Sequence, residues 1–141
     1  MRKPFSPEQH KQDDEPTKKA VAMFIYNEWK WSVLRNEDPY GVDIICMKDD
    51  EVIAHVEVER RHSWQVGDFP FPTVHVPGRK RKFFESDVPT AIFSVRSDLQ
   101  KALWTLGENV LASPIMILNN RNCNNEDFFV VPREKWKLVE L

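Results

Sequence analysis

Asp43, Glu57 and Glu59 are the residues of this chain whose types and spacing point to chemistry. Glu57 and Glu59 sit two apart in the apolar run Val52-Ile53-Ala54-His55-Val56-Glu57-Val58-Glu59-Arg60-Arg61. Side chains at i and i+2 of a strand leave the same face, about 7 Å apart, so the two carboxylates point together while Val56 and Val58 turn into a core. Asp43 lies in a second apolar run, Gly41 to Ile45, and the charged link Lys48-Asp49-Asp50-Glu51 between the runs reads as a tight turn. If the two runs pair as a hairpin, Asp43 joins the glutamates at the sheet edge. Three carboxylates around one small volume form the oxygen-rich, anionic set that a hard cation such as Mg2+ or Mn2+ takes. His55 falls on the face of the glutamates.

A chain of 141 residues with 41% hydrophobic content can build one core but not two ordinary domains. Residues 1 to 16 carry almost nothing apolar, so they read as a disordered polar tail ahead of a single domain spanning 17 to 141. No apolar run approaches the roughly 18 residues that cross a bilayer, and the charged start lacks the apolar segment of a secretory signal. A soluble, cytoplasmic protein with no membrane partner is expected. Cys46 and Cys123 are far apart and signal neither a disulfide framework nor a zinc knuckle; Cys46 reads as a core residue. The histidines His10, His55, His62 and His75 show no ligand pair at helical spacing. A net charge of −2 excludes a globally basic coat for nucleic acid, so local charge must carry any such contact.

The elements that must position the carboxylates follow from periodicity. Val21, Phe24, Ile25, Trp29 and Val33 recur at three- and four-residue steps and predict a helix from Thr17 to about Arg35, stopped by Asn36-Glu37-Asp38-Pro39. The hairpin comes next, then a proline-bearing loop over His62 to Phe71 and a short strand over Thr73 to Val76. Arg79 to Ser86 predicts a short basic helix, and Ala91 to Val95 a strand buried on both faces. Ser97 to Trp104 offers a capped helical turn or two. Pro114 to Leu118 and Phe128 to Val131 predict further strands around the turn Asn119-Asn120-Arg121-Asn122. The fold class is α/β, a mixed central sheet flanked by helices, with core order αβββαβ and a β-rich C-terminal extension.

Arg79, Lys80, Arg81 and Lys82 are four consecutive cations. They read either as a solubilising patch or as phosphate contacts that hold a nucleic-acid backbone without reading its sequence, with Arg60 and Arg61 adding to the field. Trp64, Phe69 and Phe71 either pin the long loop onto the core or stack on unpaired bases, and Trp64 is the candidate nucleic-acid contact among them.

The order of elements, Asp43 and the Glu57-x-Glu59 pair together resemble the PD-(D/E)XK nuclease superfamily, over roughly Thr17 to Val95. The resemblance implies a mixed sheet flanked by helices and divalent-metal-dependent cleavage of nucleic acid. On it, Asp43 is the motif aspartate and Glu57 the first acidic residue of the second half-motif, both metal ligands, and Glu28 matches the helical acid that some members add. Val42 stands where the motif has proline. Glu59 stands where lysine is expected, which shifts that position from a cation beside the phosphate to a metal ligand or general base. Lys80 or Lys82 is then the candidate to supply the missing cation.

These readings converge on a Mg2+- or Mn2+-dependent endonuclease that hydrolyses phosphodiester bonds in DNA, structure-directed or weakly sequence-dependent, with a homodimer as one way to meet both strands. The alternative is a catalytically inactive nuclease-fold module that binds nucleic acid or a protein partner, for which the absent motif lysine speaks. A small structural or inhibitory protein is the third reading.

Overall fold

In the computed structural model, which describes residues 7–38, 40–118 and 126–141 and side chains from residue 15 onward, Ala54, Val56 and Val58 alternate with His55, Glu57 and Glu59 along strand β3 (Glu51–Arg61). Strand β2 (Ile44–Lys48) pairs with it antiparallel. The turn between them holds Asp49 and Asp50 at φ of 52° and 64°, the two left-handed positions that a tight two-residue hairpin requires. The other edge of β3 pairs in parallel with β5 (Thr90–Arg96), which is buried along nearly its whole length. With β1 (Ser32–Arg35), β6 (Lys101–Leu106) and β9 (Lys137–Glu140), these strands form a six-stranded mixed sheet in the order β1-β2-β3-β5-β6-β9.

Both faces of this sheet are covered. On one face, Val21 and Ile25 pack with Cys46, Val56, Val58, Phe93 and Val95. Val21 lies on helix α1 (Pro7–Phe24), which runs on into a single π-helical turn over Ile25–Trp29. On the other face, Ile92 and Leu103 meet Val74, Val76, Phe129 and Val131 of a three-stranded sheet. That second sheet has the order β4 (Thr73–Pro77), β8 (Glu126–Pro132), β7 (Ile115–Leu118). A 3-10 turn over Gly78–Lys80, helix α2 (Arg81–Phe84) and helix α3 (Gly107–Leu111) complete this layer. The fold is α/β with a mixed central sheet flanked by helices and a β-rich C-terminal part.

Several boundaries differ from the reading of the sequence. The helix expected over Thr17 to Arg35 begins at Pro7, inside the segment read as a tail, and is over by Trp29. Lys30 takes a left-handed conformation with φ of 61° and ends it, and Ser32–Arg35 becomes an edge strand on β2. What overrides the helical period is aromatic packing. Trp29 lies 5.2 Å from Trp31, 5.0 Å from Trp104 and 5.6 Å from Phe93, between ring centroids, so the chain turns where its indoles cover the sheet. In consequence the αβββαβ order of the main sheet uses Ser32–Arg35 as a strand, and Thr73–Pro77 belongs to the second sheet.

Ser97 to Trp104 is a hairpin and not a helix. Asp98 Oδ1 accepts the Gln100 N–H at 3.1 Å and the Arg96 Nε at 2.9 Å, and Leu99 turns at φ of 65° into β6. A side chain that resembles a helix cap closes a β-turn by the same local hydrogen bond. The expected tail residues 1–6, the turn at Asn119 to Asn122, and Cys123 lie outside the described residues. The side chain of His10 does too. Cys46 is a buried core residue, its thiol pushed up to about 11 by burial. Among the described residues no helix is long and apolar enough to cross a membrane.

Candidate active site

The β2–β3 ladder is last in register at Ile44 and Val56. Beyond that point β2 ends and β3 runs on beside β5, so the first free amides of β3 need other partners. Asp43 supplies one: its Oδ2 accepts the Val58 N–H at 2.8 Å. Glu57 reciprocates, its Oε2 accepting the Asp43 N–H at 2.9 Å. This exchange fixes two carboxylates against each other at the fork between the strands. Glu57 is 3% exposed.

Lys80 reaches the same point from the second layer. The 3-10 turn that carries it starts at Gly78, against the Asp127 carboxylate of β8, which a Cβ there would meet at 2.3 Å. Lys80 is 8% exposed and its Nζ stands 3.0 Å from Glu57 Oε1 and 2.9 Å from Glu59 Oε1. One ammonium thus bridges the two glutamates that the strand period aligns. A fifth residue arrives from α1: Lys18 Nζ lies 3.3 Å from Asp43 Oδ1. Lys18 was not among the expected site residues, although it precedes Val21 by three residues and Ile25 by seven, the spacing of the buried helix face.

The electrostatics separate the two glutamates. Burial raises Glu57 from its ordinary 4.5 to about 7, with the Asp43 carboxylate adding to the rise and Lys80 opposing it. Glu59 is also disfavoured by burial, but Lys80, Arg61 and Arg79 together outweigh that and hold it below the usual carboxylate range. Burial works against the Lys80 ammonium, yet Glu59, Glu57 and Asp43 raise it above the ordinary lysine value, so it stays charged. Two neighbouring carboxyl groups pushed in opposite directions are the usual mark of an acid and base pair.

Of the expected site residues, Asp43, Glu57, Glu59 and Lys80 come together, but not as three carboxylates around one volume. Glu59 turns to Lys80 and not to Asp43. Glu28 is exposed on the π-helical turn and has no bond to the cluster. Lys82 is exposed, its Nζ 5.0 Å from the Phe83 ring, and is not the displaced cation. The basic run is not one patch, because the turn sends Lys80 inward and its neighbours outward. Arg79 pairs with Glu126 at 3.1 Å, and Arg81 lies over the Phe129 ring at 5.2 Å. Arg60 is spent on the Ser97 carbonyl, its Nη2 donating at 2.6 Å, and Arg61 donates to Ser94 Oγ and the His75 carbonyl. Trp64 is 0% exposed in the second core, its Nε1 bonded to the Gly67 carbonyl at 2.9 Å, so it cannot stack on a base. His55 makes no side-chain bond to the cluster among the described residues, and burial lowers its pKa.

The donor set suits a hard divalent ion in kind, since Asp43 and Glu57 offer only carboxylate oxygens. Among the described residues no three His, Cys, Asp or Glu side chains converge as ligands. The oxygens of these two carboxylates all have partners, the Val58 N–H and Lys18 on Asp43 and the Asp43 N–H and Lys80 on Glu57, and Glu59 is engaged by Lys80 beside them. No protein-family model, curated protein or solved structure matches the chain.

Proposed function

We propose that this protein is a divalent-metal-dependent endonuclease of the PD-(D/E)XK kind, hydrolysing phosphodiester bonds in DNA. The observation that carries the reading is the joining of Asp43, Glu57 and Lys80 in one hydrogen-bonded cluster where β2 leaves β3. Lys80 brings a cation to Glu59, the residue that stands where the motif has lysine. Asp43 and Glu57 would hold a Mg2+ or Mn2+ ion, which would supply the charge to polarise a phosphate and acidify a water. Glu57, raised to about 7, exchanges its proton near neutral pH, so the site gains anionic charge as it is loaded. Glu59 stays ionised and is the proton acceptor beside that position. Lys80, fixed between the two glutamates, offers a positioned charge to the scissile phosphate.

One observation favours the inactive-module reading: Lys80 is already engaged by both Glu57 and Glu59 in an enclosed cluster. The same experiment decides between them. Supercoiled, linear, single-stranded and branched DNA are each incubated with purified protein, with and without Mg2+ or Mn2+. Cleavage of any form that requires the ion supports the nuclease. Binding of DNA without cleavage under every condition supports the module.

A further inference from the structure

Along β3, the face that carries Glu57 and Glu59 continues to Arg61, about 7 Å beyond Glu59. Arg61 lines a pocket of about 300 Å³ whose other walls include Phe69, Phe71, Pro72, Thr73 and His75. The guanidinium is held in place, its Nε 3.2 Å from Ser94 Oγ and its Nη2 on the His75 carbonyl, while Nη1 has no partner among the described residues. Phe69 and Phe71 meet edge to face with centroids 5.5 Å apart, and Phe69 is buttressed by the buried Trp64 at 5.5 Å. Phe71 is 47% exposed, which leaves much of the side chain free. The Thr73 hydroxyl has no hydrogen-bond partner among the described residues, and burial, with Arg61 adding to it, holds the His75 imidazole below its ordinary range and neutral.

A half-exposed aromatic ring, a fixed cation with a spare donor, and neutral hydrogen-bonding groups together fit a planar heterocycle next to a phosphate. The volume lies at the low end for small-molecule sites and excludes a duplex. We propose that this pocket receives one unpaired base of the nucleic-acid strand, stacked on Phe71, with the adjoining phosphate on Arg61. The pocket then holds a nucleotide next to the Glu57–Lys80 cluster, and the substrate is single-stranded or splayed at that position. This rests on the nuclease reading for the class of its ligand but is tested separately from it, by binding without divalent ions.

The probe is a short single-stranded oligonucleotide carrying 2-aminopurine, compared with the same sequence as a duplex and with free adenosine monophosphate. Wild-type protein is expected to bind the single strand more tightly than the duplex and to quench the fluorescent base. Phe71→Ala should weaken single-strand binding roughly tenfold or more and leave duplex binding unchanged, and Phe71→Trp should restore it. Because Phe71 is half exposed, the variant should melt as wild type does, which circular dichroism checks. Equal binding of both strand forms, or a Phe71→Ala variant that binds the single strand normally, overturns the proposal. Tight, Phe71-dependent binding of the free nucleotide without binding of the oligonucleotide also overturns it, in favour of a small-molecule site. Metal-dependent cleavage of the single strand that survives Phe71→Ala removes the pocket but not the nuclease; Phe71-dependent binding without any cleavage does the reverse.

Discussion

The Glu57 carboxyl should make this protein less stable as pH rises through neutrality, and Glu57→Gln should remove that dependence. In the folded state the group titrates at about 7, against an ordinary value of 4.5, because burial penalises its charged form. The sign follows from proton counts: between 4.5 and 7 the native state keeps a proton that the unfolded chain releases, so stability is full below 4.5 and is lost as pH rises through 7. At about 1.36 kcal/mol for each pH unit separating the two states, the loss between pH 4 and pH 8 is roughly 3 kcal/mol, on the order of 10 °C in melting temperature. Glu59 and Asp98 are lowered and act with the opposite sign, gaining stability as pH rises through their unfolded values, so the wild-type curve alone does not isolate Glu57. The difference between wild type and Glu57→Gln does. Urea denaturation of both proteins at pH 4, 5, 6, 7 and 8 should show the variant gaining about 3 kcal/mol on wild type across the range. Saturating Mg2+ should narrow the gap at pH 8, since the ion selects the ionised carboxylate. Parallel curves, with no change in the difference from pH 4 to pH 8, would refute the reasoning.

Lys80→Met should destabilise by about 3 kcal/mol or more at pH 7, because it leaves the Glu57 and Glu59 carboxylates facing each other without their shared ammonium; chemical denaturation measures it. Trp64→Ala should cost about 3–5 kcal/mol in the same assay, since the indole fills the second core and does not serve as a base platform. Cys46 should resist thiol reagents in native buffer and react only on unfolding, its sulfur being both enclosed and held protonated.

The glutamate pair was legible because a strand repeats every two residues: whatever the register, Glu57 and Glu59 had to share a face, and Val56 and Val58 the other. The hairpin was legible too, from two aspartates that tolerate the left-handed turn. The helix end near Trp29 was not, because Val33 continues a helical period and only the contact of Trp29 with Trp31 and Trp104 makes Ser32–Arg35 a strand. Lys80 was named together with Lys82 as a candidate for the missing cation. What singles it out is a single 3-10 turn after Gly78, a local geometry with no compositional signature. Trp64 looked like a loop aromatic because the segment around it holds prolines and glycine, yet Gly67 folds that loop back to accept its indole N–H.

The central claim is that Asp43 and Glu57 hold a divalent ion that drives phosphodiester cleavage. Its most direct measurement is conversion of supercoiled DNA by wild type and Asp43→Asn, side by side, with Mg2+ present and then chelated. The account predicts nicked or linear product from the wild type only while Mg2+ is present, and none from an Asp43→Asn protein that is still folded. Product that survives chelation, or that Asp43→Asn forms at the wild-type rate, would contradict it.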